Sequence, residues 1–147
     1  MSEMNLKIIL VFYLLSQLAF SQSTERYVSI DITMPSDNDY DAAFALAKSV
    51  GMQVTSLSLM WDDLEPSPGV YGGEPNWLEI ANVFYPSQEV QISLAISPID
   101  TNNLRLPSDL ANKSFDDPEV IECYKRLLDY VFSQIPDLPV SQLSIGN

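Results

Sequence analysis

The sequence predicts an α/β fold, a partial (β/α)8 barrel of the TIM type that contains strands 1–4 with three intervening helices. Segments with the two-residue period of a strand alternate along the chain with segments that have the period of an amphipathic helix. This alternation favours a parallel sheet with right-handed crossovers. The predicted strands also set one apolar row against one row of small, polar residues. A doubly wound sheet packs helices on both faces and favours two apolar rows, so we interpret the pattern as a barrel with a polar interior.

The first half of the chain contains two predicted strands and one helix. Residues 27–33 alternate apolar and polar side chains, which is the period of a strand. A helix follows from about Asp39 to Val50, and Ser36 or Asp37 can cap its start. The second strand runs from Gln53 to Met60. The apolar row of the first strand is Val28, Ile30 and Ile32.

The second half opens with a Pro- and Gly-rich loop, residues 61–73. Pro75 starts the next helix and Pro86 stops it, and Val90 to Ser97 is the third strand. The predicted buried stripe of this helix has spacings of three and four residues. Its members are Trp77, Ile80, Ala81 and Phe84.

The last predicted helix and strand complete the pattern. After a second long loop, residues 98–114, Asp117 and Pro118 provide an N-cap and a first turn. The helix runs to about Gln134, and the fourth strand covers residues 140–145. Its inward stripe is Val120, Tyr124, Leu127, Leu128 and Val131. The long loops all follow the carboxyl ends of strands, which is where a barrel builds its functional face.

Composition excludes several function classes. The chain of 147 residues has a net charge of −13 and no histidine. A strongly acidic surface repels phosphate backbones, so we expect no nucleic-acid partner. Without histidine, this segment lacks Ser-His-Asp and Cys-His catalysis and the commonest zinc ligand, and no metal or cofactor is predicted. Cys123 is the single cysteine, so it forms no intrachain disulfide, and we expect an inert buried thiol.

The first 21 residues have the features of an export signal. Lys7 precedes an apolar run, Ile8 to Phe20, and small residues at Ala19 and Ser21 mark a cleavage site. The alternative is a membrane anchor, but the run is shorter than the ~20 residues that a spanning helix needs. We therefore predict a signal peptide at residues 1–21 and a secreted or periplasmic domain at residues 22–147, with no stable membrane insertion after cleavage.

The densest group of candidate functional residues lies at the end of the second strand, from Met60 to Pro66. An indole at a strand end can stack on a sugar ring, and the Asp62 carboxylate can bind sugar hydroxyls. The alternative is that Trp61 packs on its own loop while Asp62 and Asp63 are solvated. Asp31 faces the barrel interior by strand parity and is predicted to line the cleft, where a buried carboxylate would need a partner.

The same loop carries a motif. Its residues Trp61-x-x-Leu64-Glu65-Pro66-x-x-Gly69-x-Tyr71 resemble the W-x-x-[LI]-E-P-x-x-G-x-[YF] stretch after the second strand of clan A glycoside hydrolases, which are retaining (β/α)8-barrel enzymes. The segment Ser144-Ile145-Gly146-Asn147 resembles the approach to the Asn-Glu pair of that clan at the fourth strand. The resemblance covers residues 28–147.

The resemblance implies a double-displacement hydrolysis of O-glycosidic bonds by two glutamates, one after strand four and one after strand seven, with carboxyl groups only ~5 Å apart. It implies that Asn147 hydrogen-bonds the sugar and that the acid/base glutamate comes next, so no catalytic residue is assigned to this chain. Glu65 is implied to be structural. The predicted substrate-binding residues are Asn147, Trp61, Asp31 and Asp62.

The sequence is therefore expected to be the N-terminal half of a secreted glycoside hydrolase, inactive without the missing C-terminal half of its barrel, with a carbohydrate as its substrate. One alternative is a non-catalytic carbohydrate-binding barrel, which need not continue with Glu after Asn147. A second is an unrelated secreted α/β domain with a structural role, for which no sugar-induced quenching of Trp61 or Trp77 fluorescence is expected.

Overall fold

The computed structural model describes residues 26–32, 35 and 38–146. The predicted signal peptide, the predicted caps Ser36 and Asp37, and Asn147 lie outside these residues. The helices are α1 (Tyr40–Ser49), α2 (Trp61–Leu64), α3 (Trp77–Ser87) and α4 (Pro118–Gln134). The strands are β1 (Val54–Met60), β2 (Gln91–Ser97), β3 (Ile99–Asp100), β4 (Asn103–Leu104) and β5 (Val140–Ile145).

The main sheet is parallel and its strands lie in chain order, β1-β2-β5. Leu94 of β2 is in register with Leu57 of β1 and with Leu143 of β5. Because each strand is followed by a helical crossover to its immediate neighbour, the helices lie on one face of the sheet. The α/β class and the parallel sheet predicted from the sequence are confirmed, for a three-stranded sheet.

Within its described residues, 27–32, the first predicted strand (residues 27–33) forms one parallel bridge, between Ser29 and Val54. The Ile30 amide donates to the Val54 carbonyl at 3.0 Å. Beyond this bridge the described residues Asp31 and Ile32 line a cavity against β1 instead of pairing with it. The segment lies beside β1, where a barrel's first strand would be, but as a strand it was predicted too long.

Local hydrogen bonds define where the helices begin. The Asp39 carboxylate accepts from the Ala42 amide at 3.0 Å, so Asp39 caps α1. Asn76 caps α3 in the same way, and α3 therefore begins at Trp77, after the predicted start at Pro75. Asp117 caps α4, as predicted, because its carboxylate accepts from the Glu119 amide at 2.8 Å.

The core lies between the sheet and α3 and α4. The outer row of β2, namely Ile92, Leu94 and Ile96, is 0% exposed, and so are Leu127 and Val131 of α4. The opposite row of small residues in β1 and β2 is in part exposed. The two-row pattern predicted for Val90 to Ser97 is therefore confirmed in β2, and β1 has the same pattern. The partly exposed row comprises Ser56, Ser58, Ser93 and Ala95.

The buried face of α3 differs from the prediction. Trp77 is 55% exposed and Ile80 is also exposed, whereas Leu78 and Ala81 are buried. Ala81 and Phe84, which packs against the core, were predicted correctly. Trp77 and Ile80 were wrongly assigned to the buried stripe, and Leu78 was missed.

The outer row of β5 is uncovered. Leu143 and Ile145 align with the fully buried Leu94 and Ile96 of β2, yet both are exposed, Ile145 by 62%. Two features not predicted from the sequence occupy the loops: the short helix α2 and the antiparallel hairpin β3-β4. None of the helices in the described part of the chain is long and apolar enough to cross a lipid bilayer.

Leu94→Ala should lower the free energy of unfolding by about 3–4 kcal/mol, because it leaves a cavity in a fully buried row. The matched control is Leu46→Ala on α1, where the side chain is 70% exposed and the loss should be under about 0.5 kcal/mol. Urea denaturation followed by circular dichroism measures both. Equal losses would contradict the assigned core.

Sedimentation velocity should show self-association of the chain, because an edge strand with exposed apolar side chains pairs readily. Ile145→Lys should shift the distribution towards monomer. Ser144→Lys, which places the same charge on the opposite face of β5, is the control and should shift it less. A monodisperse wild-type monomer would overturn this expectation.

Candidate functional site

The candidate site is the edge of the sheet at which β1, β2 and β5 end. Three segments meet there: the loop that begins with α2 directly after β1, the hairpin β3-β4 directly after β2, and Gly146 after β5. The Gly146 amide donates to the Ile96 carbonyl at 3.2 Å, which joins the ends of β5 and β2. This is the position of functional residues in β/α barrels.

Trp61 is in the interior of this edge. The indole is 1% exposed, its Nε1–H donates to Glu65 Oε2 at 2.7 Å, and its ring lies 4.8 Å from that of Tyr124. Of the two arrangements considered from the sequence, packing on its own loop is the one that these contacts describe. Sugar stacking by Trp61 stays a prediction, and in this structure the indole has no exposed face to offer.

Glu65 receives a second donor. Its Oε1 accepts from the Gly69 amide at 2.8 Å, and its side chain is buried, with the residue 3% exposed. Gly69 has a φ of +69°, a conformation that other residues rarely adopt, and this brings its amide back towards Glu65. The carboxylate therefore closes the loop upon itself. These contacts agree with a structural role for Glu65.

The remaining motif residue, Tyr71, attaches the loop to α4. Its ring stacks on Tyr130 with a centroid distance of 4.8 Å and an interplanar angle of 17°. The neighbouring Gly72 donates its amide to the Leu64 carbonyl, and a Cβ at this position would lie 3.1 Å from the Tyr130 hydroxyl. Burial raises the pKa of Tyr71, and the nearby Glu65 charge adds to the effect.

Tyr124 of α4 reaches the end of β2. Its hydroxyl donates to the Ile96 carbonyl at 2.6 Å, the same oxygen that accepts from Gly146. Burial raises the pKa of Tyr124 to about 12, so the phenol remains a donor throughout the neutral range. One side chain thus contacts the indole of Trp61 and the backbone where β2 and β5 end.

Arg105 was not predicted from the sequence, and it organises the carboxylates of the site. Its Nε donates to both oxygens of Asp62 at 2.9 and 2.8 Å, and its Nη2 donates to Asp63 at 2.9 Å. Its Nη1 lies 3.8 Å from Asp100. The hydrogen bond to Asp62, and then the charges of the three carboxylates, raise the pKa of Arg105. One feature of the sequence could have identified this role. An arginine lies in the loop after β2, and two adjacent acidic residues lie in the neighbouring loop after β1.

The structure does not bring all four predicted binding residues together. Asp62 and Trp61 lie in the loop after β1, whereas Asp31 is exposed and lines a separate cavity beside α1, so it is not the buried carboxylate that the sequence suggested. Asn147 lies outside the described residues. Sugar contacts by Asp31, Asp62 and Asn147 stay predictions.

The described residues contain no group of three acidic, histidine or cysteine side chains arranged to hold a metal ion. Cys123 is buried, and burial raises the pKa of its thiol, although the nearby Arg126 opposes this. A thiol in that state is a poor nucleophile. The carboxylates at the strand ends are each engaged by Arg105 or by the loop, so no free acid/base pair is present among the residues described.

Comparison with known proteins shows similarity of fold. The chain is similar to the exo-beta-1,4-mannosidase Op5Man5 from Opitutaceae bacterium strain TAV5, with a TM-score of 0.64 and 16% identity over 82% of this chain and 24% of that one. It is similar to a GH5_18 protein from Bifidobacterium longum subsp. longum, solved in complex with Manb1-4GlcNAc, with a TM-score of 0.60 and 16% identity over 76% of this chain and 29% of that one.

A family 39 glycoside hydrolase from Bacteroides cellulosilyticus WH2 is also similar, with a TM-score of 0.56 and 16% identity over 81% of this chain and 24% of that one. No protein-family model and no curated protein sequence matches the chain. The chain spans about a quarter of each of these solved structures, 24% to 29% of their length. At this identity the likeness shows the fold, which is the fold of the glycoside hydrolases that the sequence resembles.

Trp61→Phe and Glu65→Gln should each lower the free energy of unfolding by about 1.5–3 kcal/mol. The first removes the indole N–H that donates to Glu65, and the second leaves one side-chain acceptor oxygen for two buried donors, the indole N–H and the Gly69 amide. The double variant should lose less than the sum, since without the indole N–H the remaining oxygen has only the Gly69 amide to bind. Trp77→Phe and Glu79→Gln, at exposed positions of α3, are the matched controls. Additive losses in urea denaturation would contradict the Trp61–Glu65 interaction.

The stabilising effect of the Tyr124 hydroxyl should disappear at high pH. Its pKa is about 12 in the folded chain and about 10 in the unfolded one. The folded state therefore holds this proton more tightly, and the stability gained is present below pH ~10 and is lost as the pH rises towards ~12. The difference in unfolding free energy between wild type and Tyr124→Phe, measured from pH 9 upwards, should shrink. A constant difference would argue against the burial of this phenol, which is what raises its pKa.

Proposed function

We propose that residues 22–147 form the first four strands and three helices of a secreted (β/α)8-barrel glycoside hydrolase, with residues 1–21 as its signal peptide. The complete enzyme hydrolyses O-glycosidic bonds with retention. The observation that carries this proposal is the parallel order of β1, β2 and β5 with long, interconnected loops at their carboxyl ends. The fold likeness to three glycoside hydrolases supports it.

Retaining hydrolysis requires two carboxyl groups ~5 Å apart, one as acid/base and one as nucleophile. The described carboxylates at the site are instead engaged in ion pairs and in hydrogen bonds within the loop. Asp62, Asp63 and Asp100 surround the Arg105 guanidinium, and Glu65 accepts two N–H groups inside the protein. One catalytic glutamate is therefore proposed to follow strand four, which is β5 of this chain, and the other to follow strand seven of the complete barrel, as the resemblance implies.

The contribution of this chain is then to shape one side of the cleft. Asp62 is half-exposed, and each carboxylate oxygen has acceptor capacity beyond its bond to Arg105. We propose that it accepts hydrogen bonds from sugar hydroxyls and that Arg105 holds it in place. Asn147 is proposed to bind the sugar beside the acid/base group, at the end of the strand that Tyr124 and Ile96 position.

The substrate class proposed for the first test is a β-linked mannoside. Two of the proteins with a similar fold suggest this class. One is an exo-beta-1,4-mannosidase, and another was solved in complex with Manb1-4GlcNAc. A panel of aryl β-glycosides that includes the mannoside, glucoside, galactoside and xyloside compares the classes directly.

A non-catalytic carbohydrate-binding barrel is the second candidate. The observation that favours it is the engagement of every described carboxylate at the site in ion pairs or loop hydrogen bonds. Such a protein would use the same loops to hold a saccharide without cleaving it.

The genomic reading frame that contains residues 1–147 tests the proposal. We expect a Glu codon directly after Asn147, turnover of at least one aryl β-glycoside by the product of the whole frame, and none by the 147-residue chain. Replacing that glutamate with Gln should abolish acid/base catalysis while leaving saccharide binding measurable by calorimetry. Saccharide binding without turnover would favour the binding barrel, and neither binding nor turnover would overturn both candidates.

A further inference from the structure

A cavity that is separate from the Trp61 loop lies beside α1 and α3. A cavity of about 440 Å³ is enclosed by α1, α3 and the edge of β1 that faces residues 31 and 32. Tyr40 and Trp77 are the first residues of α1 and α3 and line the cavity. Both side chains are exposed, so they lie at its mouth.

Five of the lining residues are aromatic. Phe44, Phe84 and Tyr85 form a packed cluster, with ring centroids 5.3 Å apart for the two phenylalanines and 5.4 Å apart for Phe84 and Tyr85. The first of these pairs is edge-to-face, at 85°. This packing fixes the floor, while Tyr40 and Trp77 provide the walls at the mouth.

The lining carries a negative charge with no positive one. Asp31 is the acidic residue, and neither lysine nor arginine is among the described residues that line the cavity. The pKa of Tyr85 is raised, chiefly by burial and further by the neighbouring Tyr40 and Asp31. The Asp31 charge is therefore close enough to act on the aromatic floor. The nearest lysine of α1 is engaged elsewhere, since Lys48 donates to the Gln88 carbonyl at 2.9 Å.

We propose that this cavity binds a small organic cation that carries an alkylated ammonium group. The faces of Trp, Tyr and Phe rings attract such a cation, and a neighbouring carboxylate adds to the attraction. A quaternary ammonium group has no N–H to satisfy, so an apolar floor suits it. A neutral sugar would instead need hydrogen-bonding partners around its ring, and most of this lining cannot supply them.

The probe is choline, and its neutral isostere 3,3-dimethylbutan-1-ol is the control ligand. In calorimetric titrations of the 147-residue chain, choline should bind at least about fivefold more tightly than the isostere, because a cation–π contact contributes of the order of a tenfold preference. Equal affinities would show a merely apolar cavity and would overturn the proposal, as would the absence of choline binding.

Two variants locate the binding. Asp31→Asn and Trp77→Leu should each weaken choline binding by about threefold to tenfold and change binding of the isostere by less. Glu79→Gln, which removes a charge from the exposed face of α3 outside the lining, is the matched control and should leave the affinity unchanged. Far-ultraviolet circular dichroism verifies that each variant folds. If a variant does not fold, the comparison of choline with its isostere on the wild-type chain still tests the proposal.

Mannose is titrated in parallel. If it binds this cavity more tightly than choline and loses affinity with Trp77→Leu, the cavity is a saccharide subsite and the cation proposal is wrong. The proposal does not depend on glycoside hydrolysis, since none of these measurements involves turnover or the reading frame after Asn147.

Discussion

Two N–H groups converge on the carboxylate of Glu65 inside the protein, and the arrangement of the loop after β1 depends on them. A buried carboxylate is stable only when its oxygens have hydrogen-bond donors. Meeting that requirement folds the loop back from Gly69 and draws the indole of Trp61 inward, against Tyr124. Because Tyr124 also binds the Ile96 carbonyl, the same constraint reaches the ends of β2 and β5.

The second constraint on this edge of the sheet is electrostatic. Three carboxylates from two separate loops meet one guanidinium, Arg105. Exposed ion pairs contribute little individually. Their value here is geometric, since a shared arginine holds the loop after β1 and the loop after β2 at a set distance. The remaining negative charge agrees with a site for neutral or cationic ligands and not for phosphates.

Local chemistry explains where sequence analysis was accurate. Asp117 is the N-cap of α4 and Pro118 is its first residue. Because two adjacent residues define this start, α4 begins as predicted. The alternation in β2 required only the period of the strand, and Leu94 and Ile96 are fully buried. The prediction for α3 was wrong at Trp77 and Ile80, because their burial depends on how the helix is rotated against β2. The first strand was predicted too long because its pairing depends on β1, which the residues of that segment do not encode.

The features of the site also divide into those set by local sequence and those set by tertiary packing. Sequence alone determined the α/β alternation, the two-row strands, the placement of long loops at one edge and the motif from Trp61 to Tyr71, because each follows from periodicity or short spacing. Only the tertiary structure decided that Trp61 is buried, that Arg105 gathers three carboxylates and that aromatic residues of α1 and α3 enclose a cavity with Asp31. Contacts such as that between Asp62 and Arg105, 43 positions apart, join residues that are distant in the sequence. Such pairs are determined by packing and not by local sequence.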